Sequence, residues 1–365
     1  MRKTLFLTLL ITTLTISALS QKKSTTVTRP EQEFIFKPLT ELKTTSVKNQ
    51  ARTNTCWCFA TTSFIESELI RMGKGEYDLS EMYIIRYNYV DRLRDNYLRQ
   101  GKGNTEEGGQ SHDWMKIFAE SGIVPDEVYN GLNYGSATHN HGEMNSILTA
   151  VAETAVDRKN ESPQYKSIVE SILDTYLGTV PESFTYKGVI YTPESFAQSL
   201  GINPDDYIEI TSLTHFPFYT LGVLEVPDNW RMKNFFNVPI NELIEIMDYA
   251  LNNGYTVNWD GDVSEPGFTH KKGVALFPES NVSQEMRQKG YENFTTTDDH
   301  LMHVTGISKD QNGTKYYITK NSWGPESNSF GGYLNISENY VRAKTLFIMV
   351  HKNSIPPAIR AKLGL

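Results

Sequence analysis

The chain has 365 residues, of which 39% are hydrophobic and 21% charged, values that are ordinary for a globular protein. This composition excludes a collagen-like, coiled-coil or largely disordered protein, and the length allows one large domain or two modest ones. The formal net charge of -8 argues against nucleic acid as the main partner, because phosphate binding requires a concentrated basic surface.

The first residues carry the three-part pattern of a secretory signal peptide. Residues 1–3 hold the positive charges, residues 5–19 form an uncharged and mostly apolar run, and small residues precede Gln21. The run is short for a membrane-spanning helix, which needs about 20 residues. A buried helix or an uncleaved anchor is the alternative. We therefore expect residues 1–20 to be cleaved on export, giving a periplasmic or secreted chain with no membrane span in its mature form.

After an extended polar arm, the sequence pattern is mainly helical first and mainly strand later. Apolar residues recur at helical spacing from about residue 54 to residue 72. Further helices are predicted at 81–99, 111–121, 157–177, 193–200 and 240–252. A strand or hairpin is predicted at 184–190, and short β-type runs predict strands at 255–259, 303–307, 316–319 and 346–350.

The chain contains two cysteines, Cys56 and Cys58. At this separation their side chains point to different sides of a helix or strand, so they make a poor disulfide. We interpret Cys58 as a small buried core residue. His139 and His141 are interpreted as part of an exposed loop, since no third ligand for a metal is evident. Neither a metal nor a cofactor is expected.

A set of residues from three separate segments fits nucleophilic attack on a carbonyl carbon. Cys56 lies at the predicted start of a helix, where the helix dipole lowers the pKa of a thiol. His300 would act as the base, and Asn321 would hold that histidine in the correct orientation. The Gln50 side-chain amide and the Cys56 backbone N–H would stabilise the oxyanion. Trp323 would cover the hydrogen bond between His300 and Asn321.

These segments resemble the papain-like cysteine peptidases. The interval from Gln50 to Cys56, the Cys-Trp-x-Phe pattern that begins at Cys56, and Asn-Ser-Trp-Gly at 321–324 all match motifs of that family. Gly108-Gly109 before a helix resembles the segment whose backbone pairs with the substrate. The resemblance implies a thiol-dependent peptidase that acts on peptides.

His300 and His303 compete for the role of base. In the papain-like family the histidine is followed by an apolar strand that ends in glycine, and counting back from Gly306 selects His300. His303 would then lie on the opposite face of the strand, because side chains alternate. We therefore expect a structural or partly exposed His303 that takes no part in the reaction.

The interval between Cys56 and His300 exceeds the about 130–150 residues of papain-type chains by roughly 100 residues. The extra residues fall at about 145–237 and resemble the helical insertion of the bleomycin hydrolase and aminopeptidase C branch. The implied fold class is α+β, with a helical N-terminal lobe, a β-rich C-terminal lobe and a helical insertion. The expected segments are a signal peptide (1–20), an arm (21–48), the lobe with the nucleophile (49–144), the insertion (145–237), the lobe with His300 and Asn321 (238–350) and a tail (351–365).

Members of that branch are aminopeptidases that assemble as hexamers, and their C-terminal arm binds the amino terminus of the substrate. The resemblance thus implies an aminopeptidase and allows a homo-oligomer, a hexamer as in the branch. The tail at 351–365 is shorter than the family arm and lacks its terminal sequence. An endopeptidase with an open cleft is therefore one alternative, and a non-catalytic peptide-binding protein is another.

Overall fold

Helices dominate the first part of the chain and strands dominate the last part. The structure is a computed structural model that describes residues 34–365, so the predicted signal peptide lies outside the described residues. The helices are α1 (Cys56–Arg71), α2 (Glu81–Leu98), α3 (Ser111–Ser121), α4 (Gly142–Asp157), α5 (Tyr165–Leu177), α6 (Pro193–Leu200), α7 (Ile240–Asn252), α8 (Gln284–Glu292), α9 (Glu338–Lys344) and α10 (Pro357–Leu363). The strands are β1 (Lys37–Glu41), β2 (Phe184–Tyr186), β3 (Val189–Tyr191), β4 (Tyr207–Thr211), β5 (Leu221–Val223), β6 (Asn234–Asn237), β7 (Val257–Gly261), β8 (Phe268–Thr269), β9 (Val274–Ala275), β10 (His300–Lys309), β11 (Lys315–Lys320), β12 (Tyr333–Ser337) and β13 (Thr345–His351).

One large mixed sheet forms the frame of the molecule, with β2 and β3 as a separate hairpin. Its strand order is β5-β6-β4-β13-β7-β10-β11-β12-β9-β8, and β1 also pairs with β10. β10 is the best-connected strand, because it pairs antiparallel with β7, β11 and β1. A side chain at Gly306 would place its Cβ 2.2 Å from the Thr40 carbonyl oxygen, so this glycine allows β1 to approach.

α1 lies between the helical lobe and the sheet. Its residues 57–69 are all buried, which fits a helix that has neighbours on every side rather than one apolar face. Two apolar cores result. One joins α1, α2 and α3 with the insertion, and the other joins the opposite face of the sheet with α7, α9 and α10. The start of α1 therefore meets the start of β10 at the junction of the two lobes.

The insertion at 145–237 is helical only in its first part, which contains most of α4, α5, the β2–β3 hairpin and α6. Its second part contributes β4, β5 and β6 to the edge of the large sheet, where β4 pairs with β13. The prediction of one helix at 157–177 was wrong in its first turns, because α4 ends at Asp157 and α5 begins at Tyr165. β5 and β6 are three and four residues long, too short for a periodic signal.

The C-terminal residues fold back onto the strand-rich lobe. In α10, Ile359 and Leu363 are buried within the second core. Lys362 Nζ donates a hydrogen bond to Glu242 of α7 over 2.6 Å. Within residues 34–365, no helix combines the length and the apolar character needed to cross a membrane.

Candidate active site

Cys56 is the first residue of α1, and contacts from a neighbouring loop fix its position. Asn54 N donates to the Glu107 carboxylate over 2.6 Å, and Trp57 Nε1 donates to the Glu107 carbonyl over 3.0 Å. Cys56 is partly exposed and Cys58 is buried, as predicted, with its thiol 3.4 Å from the Glu81 carbonyl. The two cysteines therefore face different surroundings, and Cys56 is the one that is accessible.

A cleft of about 530 Å³ opens beside Cys56, between the start of α1 and the start of β10. The predicted site residues converge on it from segments that are far apart in sequence. Asn321 is buried behind the cleft wall and bonds to His300. The predicted site residues that line the cleft are Gln50, Cys56, Gly108, Gly109, His300 and Trp323.

The hydrogen bonds of Asn321 determine which nitrogen of His300 is basic. Ser322 N can only donate, and it lies 2.7 Å from Asn321 Oδ1. His300 Nε2 lies 2.8 Å from the same oxygen, so this nitrogen must carry the proton. In neutral His300 the lone pair is then on Nδ1. The tautomer is the one that a general base next to Cys56 requires.

A second histidine, which the sequence analysis did not identify, holds the other end of the Asn321 amide. Asn321 Nδ2 lies 3.2 Å from His270 Nδ1, and His270 Nε2 lies 2.8 Å from Ser327 Oγ. Because the amide nitrogen donates, His270 accepts on Nδ1 and donates to Ser327. Asn321 is thus fixed from both sides.

Trp323 packs against this hydrogen-bonded row. Its ring centroid lies 4.9 Å from that of His300 and 4.7 Å from that of His270. The indole thus lies beside the His300–Asn321 hydrogen bond, in the place where the sequence analysis expected it to cover that bond from water.

Gln50 is held with one amide N–H unused. Its Oε1 accepts from Ser322 Oγ over 2.6 Å, and its Nε2 donates to the Thr53 carbonyl over 2.7 Å. The second hydrogen on Nε2 has no acceptor in the described part of the chain. Cys56 is the first residue of α1, and within residues 34–365 no carbonyl oxygen accepts a hydrogen bond from its backbone N–H. Two donors therefore border the cleft next to the thiol.

The two glycines opposite Cys56 are required by close contacts. A Cβ at Gly108 would lie 1.9 Å from Asp228 Oδ2, and one at Gly109 would lie 2.9 Å from the Trp57 ring. The Gly108 carbonyl accepts a hydrogen bond from Arg92. This wall of the cleft is therefore bare backbone, as the resemblance to the papain-like family predicts.

Without substrate, the cleft favours the neutral forms of both Cys56 and His300. Burial raises the pKa of the Cys56 thiol to about 12, and nearby carboxylates add to this effect against a hydrogen bond from the Leu301 backbone. Burial lowers the pKa of His300 to about 4, against the opposing effect of Asn321. In the empty cleft, burial and the carboxylates thus hold the thiol pKa above its ordinary value, and the lowering expected from the helix start stays a prediction. Thiolate and imidazolium form favourably only together, by one proton transfer.

His303 has a different environment from His300 and is not partly exposed. It is fully buried against α1, and its Nδ1 lies 2.9 Å from Ser63 Oγ. Lys320 Nζ donates to the same Ser63 oxygen over 2.8 Å, and His303 Nε2 has no hydrogen-bond partner within residues 34–365. One ring nitrogen of His303 is thus bonded to Ser63, and the ring lies away from the cleft lining. The expectation of a structural histidine that does not line the cleft is supported.

The expectation of an exposed loop at 139–141 was wrong for His141, which is fully buried. Within residues 34–365, no group of three or more His, Cys, Asp or Glu side chains is arranged to hold a metal ion.

Sequence reasoning also missed several polar residues around the cleft. Ser322 lies within the Asn-Ser-Trp-Gly motif, so the motif itself could have indicated its role. His270 lies in no recognised motif. Asp228, Asp260 and Asp298 come from three distant segments, and only the strand pairing and the end of the insertion bring them together.

Comparison with known proteins identifies the family of the chain. The model of the Peptidase C1-like family matches residues 91–364, a range that includes His300 and Asn321 but begins after Cys56. Cysteine proteinase 1, mitochondrial, of Saccharomyces cerevisiae is 22% identical over 389 residues, which cover 90% of this chain and 79% of the yeast protein. Aminopeptidase W of Lactobacillus delbrueckii subsp. lactis is 25% identical over 373 residues, covering 87% of this chain and 84% of that protein.

The fold also has a close counterpart among solved structures. The crystal structure of PepW from Lactobacillus rhamnosis HN001 matches with a TM-score of 0.72 at 18% identity, covering 90% of this chain and 84% of that one. The predicted α+β papain-like fold and the resemblance to the bleomycin hydrolase and aminopeptidase C branch are confirmed. The chain belongs to the Peptidase C1-like family of papain-like cysteine peptidases.

Proposed function

We propose that the protein is a cysteine aminopeptidase in which Cys56 is the nucleophile, His300 the general base and acid, and Asn321 the residue that orients His300. The observation that carries this proposal is the fixed tautomer of His300. Its Nε2 donates to Asn321 over 2.8 Å, which leaves the basic Nδ1 in the cleft that Cys56 also lines. Aminopeptidase W and Aminopeptidase G are named as aminopeptidases and match over most of this chain.

In the proposed reaction, the Cys56 thiol gives its proton to His300 Nδ1 and Sγ attacks the carbonyl carbon. The resulting oxyanion accepts hydrogen bonds from the Cys56 backbone N–H and the unused Gln50 N–H. His300 then protonates the leaving amine, the C–N bond breaks and a thioester remains. Water attacks the thioester, His300 takes a proton from it, and the carboxylic acid leaves as the thiol re-forms.

An endopeptidase is the second candidate, and the position of the C-terminal residues favours it. Of the described residues, none beyond Trp323 lines the cleft, and α10 packs into the second core instead. A non-catalytic peptide-binding protein is the less favoured alternative, because both the base and the oxyanion donors are in place.

Two measurements test the proposed function. Cys56→Ala should fold normally and lose turnover by several orders of magnitude, because the nucleophile is used only in the reaction. Unchanged turnover in this variant would contradict a cysteine peptidase. Comparison of peptides with free and acetylated amino termini then separates the two modes of action. Cleavage of acetylated peptides at an equal rate would rule out an exclusive aminopeptidase.

We also propose export and self-association, both of which rest on the sequence analysis. Residues 1–20 carry the signal-peptide pattern but lie outside the described residues, and the yeast relative is named as mitochondrial. Mass spectrometry of the mature amino terminus, with cell fractionation, tests export. Light scattering in solution tests the homo-oligomer, for which a hexamer is the expectation from the resemblance.

A further inference from the structure

Three carboxyl side chains from distant segments meet at the cleft. Asp298 precedes the β10 strand by two residues, Asp228 comes from the end of the insertion, and Asp260 lies on β7. Asp228 and Asp298 line the cleft, whereas Asp260 is fully buried next to Asp298. We refer to Asp228, Asp260 and Asp298 as the acidic cluster.

Within residues 34–365, Asp228 is the one member of the acidic cluster with a basic side chain beside it. Asp228 Oδ1 lies 3.3 Å from Arg92 Nη2 and accepts from Asn104 Nδ2 over 3.0 Å. Asp298 accepts a hydrogen bond from Gln110 Nε2 over 3.2 Å and is also hydrogen-bonded to Asp260, and the strongest charges acting on it are the negative Asp228 and Asp299. The described residues therefore give the Asp260–Asp298 pair no positive partner of its own.

Asp260 is a buried carboxyl group that lacks hydrogen-bond donors. Within residues 34–365, neither of its oxygens receives a hydrogen bond from a donor group, although the side chain is fully buried. Its neighbour is another carboxyl group, so the two can bond to each other only if one holds a proton. Burial raises the pKa of Asp260 well above its ordinary value, and burial with Asp228 raises that of Asp298 to about 7. The two carboxyl groups therefore share at least one proton at neutral pH.

In the empty cleft, the acidic cluster disfavours the charged thiolate form of Cys56. Asp260, Asp228 and Asp298 are the charged groups that raise the pKa of the Cys56 thiol, so they disfavour the thiolate that must attack. A buried carboxyl pair also costs folding free energy. Both costs fall when a cation sits against the pair. Asp228 and Asp298 line the cleft beside Cys56, so a cationic group of a substrate bound there would lie next to them.

We propose that Asp298 and Asp228, with the buried Asp260 behind Asp298, bind a protonated nitrogen of the peptide substrate close to the scissile bond. This inference rests on the proposed peptidase function and names its substrate class. The nitrogen is either the α-ammonium group of the substrate, which would make the enzyme an aminopeptidase through internal carboxylates, or the side chain of a lysine or arginine. Binding of the cation neutralises the field at Cys56, so that substrate assists the formation of the thiolate.

Steady-state kinetics with four fluorogenic amides tests the proposal and separates the two sources of the cation. The substrates are alanyl-aminomethylcoumarin with a free amine, its N-acetyl form, and the acetylated dipeptides Ac-Arg-Ala and Ac-Gln-Ala on the same leaving group. The enzymes are the parent, Asp298→Asn and Asp260→Asn. Glu153→Gln, an exposed residue of α4 outside the cleft, controls for the loss of one negative charge.

The parent enzyme should prefer the free-amine substrate or Ac-Arg-Ala over its neutral counterpart by about tenfold or more, as expected for a charge-assisted hydrogen bond. A preference for the free amine assigns the α-ammonium group, and a preference for Ac-Arg-Ala assigns a basic side chain. Asp298→Asn should raise KM for the cationic substrate and so abolish most of that preference, whereas turnover of the neutral substrate should not fall, because the replaced charge disfavours the thiolate. Glu153→Gln should behave like the parent.

Two outcomes would contradict cation binding by the acidic cluster, and a third would contradict the proposed peptidase function. Equal turnover of cationic and neutral substrates by the parent would overturn cation binding while leaving the peptidase intact. An equal loss on all four substrates in both aspartate variants would also overturn it, provided that circular dichroism and stoichiometric iodoacetamide labelling of Cys56 indicate a folded site. Turnover of no substrate, together with an unreactive Cys56, would instead refute the peptidase function.

Discussion

The two histidines of β10 lie three residues apart and are both buried, yet only one has the properties of a base. His300 donates from Nε2 to Asn321, which leaves its lone pair on Nδ1 at the cleft. His303 instead has Nδ1 bonded to Ser63, whose oxygen also accepts from Lys320, and its ring does not line the cleft. The partner of one ring nitrogen therefore decides whether the other can take a proton from a thiol.

The surroundings of His303 and of the cleft also differ in how charge is balanced. Beside His303 and α1, half-buried Lys48 pairs with Glu81 over 2.8 Å, and buried Lys320 is bonded to neutral oxygens. At the cleft, Asp260 and Asp298 have no basic residue of their own within residues 34–365. The cleft thus keeps a negative charge that a cationic substrate group can balance.

Replacement of the proposed base should give the largest effect. His300→Ala should lower kcat/KM by about 10²–10⁴-fold, the usual contribution of a general acid–base group, without unfolding the chain. His303→Ala is the matched variant, and its folded fraction should keep a kcat/KM near the parent value. Assays with an aminoacyl coumarin amide measure both. The opposite order for the two histidines would reject the assignment.

Removal of the orienting amide should have an intermediate effect. Asn321→Ala leaves His300 able to rotate and to adopt the other tautomer, and a displacement of about 1 Å can cost about 10²-fold in rate. The loss should appear in kcat rather than in KM, since Asn321 lies behind the cleft wall. A loss as large as that of His300→Ala would mean that Asn321 does more than orient.

Loss of the second histidine should have a smaller effect on rate. His270→Phe removes one neutral hydrogen bond to Asn321, which is worth about 0.5–1.5 kcal/mol, or up to about tenfold in kcat. His270→Gln keeps an acceptor and should restore part of the activity. Burial lowers the pKa of His270, so the parent should keep this acceptor in mildly acidic buffer. Equal activity of the Phe and Gln variants would contradict a positioning role.

The smallest effect on rate, but a clear one on stability, is expected for His303→Gln. Burial holds the pKa of His303 well below its ordinary value of 6.5, so between pH 7.5 and pH 5 only the unfolded chain takes up a proton there. Stability from this group is present above about pH 6.5 and is lost as the pH falls.

The parent should therefore lose about 2 kcal/mol relative to His303→Gln over that range. Urea unfolding at both pH values measures the difference. A stability difference that is independent of pH would show that His303 is not held neutral.

Much of the fold and the core of the site were readable from local patterns. α1, α2, α3, α6 and α7 begin within two residues of the predictions, because apolar spacing and caps are contiguous features. β4, β5 and β6 were missed because short strands gain their stability from partners distant in sequence. The pKa of the Cys56 thiol depends on distant residues for a related reason, since burial and carboxylates from remote segments raise it.

The sequence by itself determined the family and predicted the nucleophile, the histidine and the asparagine, because each lies in a short motif whose residues are adjacent in the chain. The tertiary structure decided which nitrogen of His300 is basic, that His270 holds Asn321, and that Asp228, Asp260 and Asp298 meet beside Cys56. Those properties depend on the register of β7 against β10 and on where the insertion ends. Hydrogen bonding and charge act over a few ångströms, and only folding brings such distant residues that close.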